Sequence, residues 1–302
     1  MHIQIREGQA LPDNAQRRGT IFAVGGREAR YENSAVLSQF VSLCGGPKAR
    51  LTVLSTASRE PQRSVARYRV AFSALGVNDL SFFHQDQRED ASHPALLAAV
   101  ENADGVFFTG GSQLKLVSTI GGTPLDSILR ERHRRGLHLG GSSAGASALS
   151  AVMIARGTGR STARLSSVRL SPGLGFLSRV IVDQHFRERD RFGRLLAAIL
   201  CNPSMRGFGL DEDTAFALNA SDQVSVVGNG TLTIVDGTHL EATNIDEVPE
   251  DSPAAFAGMR MHVLSAGWTY GLLSGRIEKP LLPATTTRLP VDVLVTSGKR
   301  GR

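Results

Sequence analysis

The stretch Leu137-His138-Leu139-Gly140-Gly141-Ser142-Ser143-Ala144-Gly145-Ala146 decides how this chain is read. A strand-like run enters it and a helix-competent run, Ala146–Met153, leaves it. Gly141-Ser142-Ser143-Ala144-Gly145 therefore fits G-x-S-x-G in the strand–turn–helix setting of a nucleophile elbow. Geometry explains the residue types. A sharp strand-to-helix turn strains the central serine, and side chains on the flanking positions would collide across it. The turn exposes the Ser143 hydroxyl and presents the next backbone N–H, that of Ala144, to a developing oxyanion. Ser142 is the rival nucleophile, but it is not centred between the two glycines.

Outward from the elbow, the first two-thirds of the chain alternates short apolar runs with amphipathic stretches, the pattern of a parallel sheet covered by helices. Predicted strands are Thr20–Val24, Leu51–Ser55, Leu80–His84, Gly105–Phe108, Leu137–Gly140 and Val180–Val182. Predicted helices are Ser34–Leu43, Pro61–Leu75, Pro94–Glu101 and Pro124–Arg135; Gly45, Gly76 and Gly136 follow the first, second and fourth, where a left-handed cap conformation is needed. After Arg206 the pattern changes. Val224–Val227 and Leu232–Val235 flank Gly228-Asn229-Gly230 and read as an antiparallel hairpin, with Met259–Leu264 as an edge strand. The fold class is α/β, a mostly parallel sheet with helices on both faces and antiparallel C-terminal additions. No linker divides the 302 residues, so a single domain is expected, with its core over 19–267 and a basic tail, 280–302, without assignable pattern.

Composition narrows the function. The chain is 41% hydrophobic and 21% charged, ordinary for a globular protein. It has no run of about 18 or more apolar residues, so no transmembrane helix is expected. Met1–Arg18 is polar and lacks the apolar core of a secretory signal, which makes a cytoplasmic location the expectation. Cys44 and Cys201 have no C-x-x-C neighbour and read as reduced thiols. The net charge of +6 raises nucleic acid as a partner. Much of the excess, however, lies in Arg130, Arg132, Arg134 and Arg135 on one helix and in Lys299, Arg300 and Arg302 at the end. No aromatic stacking platforms are interleaved with these charges, so neither nucleic acid nor membrane is an expected partner. No histidine–cysteine cluster has ligand spacing, and no metal or cofactor is expected.

A serine nucleophile needs a base held in one tautomer by a carboxylate. Of eight histidines, His2 is terminal, His93 and His239 lie in turn-like contexts, His133 sits among arginines, His138 is inside the entering strand and His262 is in a late edge segment. His84 ends a strand and competes with His185. His185 follows Val180-Ile181-Val182 in the run Asp183-Gln184-His185-Phe186, at a strand's C-terminal end, where open α/β sheets carry their sites. The carboxylate lies in Gly209-Leu210-Asp211-Glu212-Asp213-Thr214-Ala215, and spacing leaves all three acids open. Arg187, Arg189, Arg191 and Arg194 read either as the solvated start of a helix or as anion holders, since arginine near a helix N-terminus is electrostatically unfavourable.

From about Gly19 to Asn219 the chain resembles the cyanophycinases, members of a peptidase family that also includes the α-aspartyl dipeptidases. The resemblance rests on an ordered set of blocks: Val24-Gly25-Gly26, Ser55-Thr56-Ala57-Ser58, Phe108-Thr109-Gly110-Gly111-Ser112-Gln113, the elbow, Pro172-Gly173-Leu174-Gly175-Phe176-Leu177, Val182-Asp183-Gln184-His185-Phe186 and the acidic block. It implies a flavodoxin-like fold related to class I glutamine amidotransferases, a serine mechanism and usually a homodimer. By resemblance Ser143 is the nucleophile, His185 the base and Glu212 the orienting acid, with oxyanion N–H groups from Gly111 and Ala144. The same resemblance puts Gln113, Asp183, Gln184, Arg189, Arg191 and Arg194 in the substrate pocket.

Ser112 stands where the family often has aspartate, and Ser142 where it often has threonine. The implied substrate is cyanophycin, polyaspartate with arginine on each β-carboxyl. Each unit carries a free carboxylate that suits a guanidinium fork, and a guanidinium that Asp183 or another acid would meet. Three other readings remain: a related peptidase for short aspartyl or isoaspartyl dipeptides, a catalytically silent binding module, and a glutaminase or amidotransferase. The last is disfavoured by serine in place of cysteine at the elbow.

Overall fold

A computed structural model describes residues 18–28 and 34–280. Most of the N-terminal segment and the basic tail beyond Pro280 lie outside the described residues, so the expectations placed on them are not addressed.

Five parallel strands form the centre: β1 (Ile21–Val24), β2 (Arg50–Leu54), β3 (Asp79–Phe83), β4 (Gly105–Phe108) and β5 (His138–Ser142), in the order β1-β5-β4-β2-β3. Two-residue alternation along β1 decides which layer each side chain joins. Phe22 and Val24 pack with helices α1 (Ala35–Leu43) and α2 (Pro61–Ala74) on one face. Ile21 and Ala23 face the other side, where α3 (Pro94–Asn102), α4 (Gln113–Ile120), α5 (Pro124–Arg134) and the short α6 (Ala144–Ala148) lie. The helix boundaries follow local chemistry. Pro61, Pro94 and Pro124 open α2, α3 and α5 at the position where a missing N–H costs nothing. Ser34 and Thr123 accept from Leu37 N and Asp126 N as N-caps. Helix α4, capped by Ser112, is additional to the predicted helices. No helix among the described residues is long and apolar enough to cross a membrane.

Three expectations are corrected. Ala146–Met153 does not continue as helix. α6 ends at Ala148, and the chain turns into β6 (Val152–Gly157), which pairs antiparallel with β7 (Val168–Pro172); the β-branched Val152 and Ile154 suit a pleated strand better than a helix. The strand at Val180, β8 (Val180–Gln184), does not join the main sheet. It pairs parallel with β9 (Arg206–Leu210) and starts a second, four-stranded sheet.

The Gly228-Asn229-Gly230 segment joins strands of different sheets rather than a hairpin. β10 (Thr214–Leu218) adds to β1 antiparallel and β11 (Gln223–Gly228) adds to β10, extending the main sheet. β12 (Leu232–Asp236) instead pairs with β9 in the second sheet. A two-stranded ribbon, β13 (Ala242–Thr243) with β14 (Phe256–Ala257), precedes β15 (Arg260–Leu264), which is the expected edge strand beside β12. β16 (Thr269–Gly271) and β17 (Ile277–Glu278) then close the main sheet's antiparallel end.

The two sheets share one core. Val182, Phe208, Leu210 and Ile234 of the second sheet are fully buried in the same apolar cluster as Ile21, Leu139 and Ala146. α7 (Phe192–Leu200) covers the second sheet's other face through Leu195 and Ile199 against Ile181 and Val235. Two buried serines fix the layers to each other. Ser147 Oγ donates to Val182 O, and Val182 N donates to Ser150 Oγ, so the helix behind the elbow is bonded to the strand that leads to His185.

Candidate active site

Four strand ends meet at one place: those of β1 and β5 from the main sheet, and those of β8 and β9 from the second. Ser143 N donates to Val24 O at 2.9 Å, His185 N to Gly25 O at 2.9 Å and Asp213 N to Gly26 O at 2.8 Å. The short segment after β1 therefore collects the backbone of all three site-bearing loops. Its glycines are sterically required. A Cβ on Gly25 would fall 1.9 Å from Asp211 O, and one on Gly26, whose φ is +111°, would fall 2.4 Å from His185 Cε1.

The elbow has the strain its pattern implies. Ser143 sits at φ 53°, ψ −110°, a region costly for a residue with a Cβ. A Cβ on Gly141 would lie 2.5 Å from Gly145 C, and one on Gly145 would lie 2.3 Å from Phe108 O. Close backbone crossing, rather than flexibility, thus selects both glycines. His185 is likewise left-handed, at φ 47°.

These constraints bring three side chains into line. Ser143 Oγ is 2.9 Å from His185 Nε2, and His185 Nδ1 is 2.8 Å from Glu212 Oε1. The geometry separates the three acids. Asp211 is buried and spends its oxygens on Arg187, on the Arg187 amide and on Thr231, while Asp213 accepts from Asn229 at 2.6 Å. Only Glu212 reaches His185. A hydroxyl, an imidazole and a carboxylate in this order can move a proton from the hydroxyl to the ring while the carboxylate holds the tautomer. Burial holds His185 well below an ordinary imidazole, at about 4, against the opposing bond from Glu212. The ring is therefore neutral at physiological pH and free to accept.

Gln184 adds a second acceptor. Its Oε1 is 3.2 Å from Ser143 Oγ and takes a bond from Arg191 Nη1 at 2.9 Å. Arginine only donates, so this contact fixes the amide with its oxygen toward the serine. The single hydroxyl hydrogen then has two acceptors, and His185 is the nearer.

On the other side of Ser143, Gly110 packs so closely that a Cβ there would lie 3.3 Å from Ser143 Cβ. The amides of Gly111 and Ala144 donate to no described residue. His84, the competing histidine, is held by Ser55 and Asp86 away from this site.

A cavity of about 320 Å³ opens in front of Ser143 and His185. Of the six residues expected to line a substrate pocket, Arg189 does so. Gln113 instead donates to the carbonyls of Ile154 and Ala155, at 2.8 and 3.1 Å. Asp183, Arg191 and Arg194 form a buried cluster behind the histidine loop. Asp183 is 1% exposed, accepts from Arg194 Nε at 2.7 Å and from its Nη2, and lies 3.5 Å from Arg191 Nη1. Both Asp183 oxygens are thus engaged by arginine within the protein. The members of the arginine run differ in environment: Arg187 is exposed, Arg189 lines the cavity, and Arg191 and Arg194 are buried.

Sequence reasoning missed the rest of the cavity wall. Arg27 Nε contacts Glu212 Oε1 at 2.9 Å, and Glu28 is buried between Tyr68 and Ser142. Arg63, Ser64, Arg67 and Tyr68 repeat at helical spacing on the face of α2 that lines the cavity. The adjacency of Arg27-Glu28 to Gly25-Gly26 was the available signal.

The Asp183 cluster generates a stability prediction. Asp183→Asn leaves two buried guanidinium groups without their carboxylate and should lower unfolding free energy by about 3–5 kcal/mol, read from urea denaturation. A loss under about 1 kcal/mol would mean that the pair is not buried as described.

The family model described as peptidase family S51 matches residues 21–226, a span containing every site residue described above. A cyanophycinase of Trichormus variabilis is 37% identical over 265 residues, covering 87% of this chain and 88% of that protein. A cyanophycinase of Synechococcus elongatus is 37% identical over 268 residues, covering 88% and 83%. The fold is shared with the crystal structure of a peptidase from an acI-B1 actinobacterium, at a TM-score of 0.60 and 24% identity, covering 85% of this chain and 98% of that one. With a strained serine elbow facing a buried histidine and glutamate, and a family match across the whole of that site, the chain belongs to peptidase family S51.

Proposed function

We propose that this peptidase is a cyanophycinase, a serine-type exopeptidase that hydrolyses cyanophycin to β-Asp-Arg dipeptides. The observation that carries the reading is the Ser143–His185–Glu212 line opening on a cavity whose wall includes Arg27, Arg63, Arg67 and Arg189. Similarity to the cyanophycinases over most of the chain supports the substrate. Each unit of the polymer brings a carboxylate to be matched by such cations.

In this mechanism Ser143 Oγ attacks the scissile carbonyl carbon while its proton passes to His185 Nε2. The amides of Gly111 and Ala144 receive the oxyanion. Collapse breaks the C–N bond, and the departing amine takes the proton from His185, leaving an acyl ester on Ser143. Water then gives a proton to His185 and attacks the ester, and return of that proton to Oγ restores the enzyme. Glu212, shared with Arg27, stabilises the imidazolium at each transfer. The buried Asp183–Arg191–Gln184 chain positions the loop rather than touching substrate.

Purified protein should release soluble dipeptide from insoluble cyanophycin, and Ser143→Ala should release none above background, followed by amino-acid analysis of the supernatant. A folded wild type that reacts with a fluorophosphonate at Ser143 but frees no dipeptide would leave a serine hydrolase with another substrate, such as aspartyl dipeptides.

The pH profile has a definite sign. The base works when neutral, and burial holds its pKa at about 4, so kcat/KM should be full above that value and fall as pH drops through about 4. An acid limb centred near the ordinary histidine value of about 6.5 would contradict the buried, neutral ring.

A further inference from the structure

Glu28 is the carboxylate that the mechanism leaves unused. It is 1% exposed, yet it forms part of the cavity wall beside Ser143. Tyr68 Oη donates to its Oε1 at 2.6 Å, and Ser142 Oγ, adjacent to the nucleophile, donates to its Oε2 at 2.8 Å. No described cation pairs with it: the arginines on the same wall include Arg27, held by Glu212, and Arg63, held by Glu60 at 3.1 Å. Two hydroxyl bonds leave lone pairs on both oxygens. A buried carboxylate without a positive partner is costly, and burial raises its pKa accordingly. A cation entering the cavity would supply the missing partner. The other cavity acid, Glu60, is 66% exposed in its side chain and already paired, so it offers no comparable desolvated site.

We propose that Glu28 is the specificity-determining acceptor for a guanidinium group of the substrate, the role that the engaged Asp183 does not fill. This inference rests on the cyanophycinase reading for the identity of the substrate, and it deepens that reading by naming the contact. The cavity then matches a zwitterionic ligand: arginines on its rim face the carboxylate, and Glu28 at its floor takes the guanidinium as a charge-assisted pair. Its position beside Ser142 ties recognition to the elbow, so a correctly charged side chain is read one residue from the nucleophile.

The test compares wild type with Glu28→Gln on a soluble β-Asp-Arg oligomer and on its citrulline counterpart, in which a neutral urea replaces the guanidinium. Glutamine keeps the size and can hydrogen-bond both hydroxyls, each of which accepts as well as donates. The proposal expects kcat/KM on the arginine oligomer to fall by about 30-fold or more, with the citrulline rate held, so that the preference for charge disappears. An equal fall on both oligomers would make Glu28 a support for the elbow and overturn the proposal, as would no change on either. A second arm does not depend on hydrolysis. Agmatine, a guanidinium without a carboxylate, should slow fluorophosphonate labelling of Ser143 in wild type and not in Glu28→Gln. If wild type cleaves neither oligomer, the cyanophycinase reading fails, and the agmatine arm alone decides the guanidinium site. Absence of agmatine protection in wild type would overturn it.

Discussion

Three consecutive carbonyls, those of Val24, Gly25 and Gly26, accept from the amides of Ser143, His185 and Asp213. A nucleophile from the end of β5, a base from the end of β8 and an acid from the end of β9 are thereby held against one segment of backbone. Backbone bonds of this kind have fixed reach and direction, so the side chains that project from them inherit a fixed register. Residues more than forty positions apart meet within 2.9 Å because each loop is bonded to the same short segment. The cost is steric. The segment cannot carry side chains where the Asp211 carbonyl and the His185 ring press on it, and the elbow must hold Ser143 in a strained conformation.

The second layer of control is electrostatic. His185 is buried to the point where its charged form is disfavoured, while Glu212 and Arg27 lie next to it. Behind the loop, Asp183 neutralises Arg194 and Arg191, and Arg191 in turn fixes the Gln184 oxygen near the serine hydroxyl. Buried ion pairs of this type are poor sources of net stability, because desolvation offsets their attraction. Their contribution here is orientation. Glu28 differs from them in having no cation partner among the described residues, which sets it apart from the structural charges around it.

Much of this was legible in the sequence, and the misses have physical causes. The elbow, the Val-Gly-Gly end of β1 and the five parallel strands were readable because glycine spacing and apolar runs report local sterics directly. His185 is marked by its place after the apolar run Val180-Ile181-Val182. Glu212 could not be separated from Asp211 and Asp213 by spacing, because the choice depends on which way a turn between two sheets points each side chain. The second sheet was invisible for the same reason. β8 has the composition of any buried parallel strand, and Gly228-Asn229-Gly230 has the composition of a hairpin turn, yet tertiary pairing sends its two flanks to different sheets. The arginines after His185 carry no sequence mark that distinguishes the buried Arg194 from the cavity-lining Arg189. Helix α2 concealed its role because an Arg-rich face reads as solvated until its neighbour is known.

The most direct test of the register argument is to place a methyl group on Gly26. Gly26→Ala adds a Cβ 2.4 Å from the His185 ring at a backbone φ of +111° and removes none of the site side chains. The account predicts a fall in kcat/KM of about 100-fold or more, with circular dichroism showing a native fold, since an ångström-scale misplacement of a base is enough for such a loss. Near wild-type turnover by a folded Gly26→Ala protein would contradict the claim that this strand end sets the alignment of Ser143, His185 and Glu212.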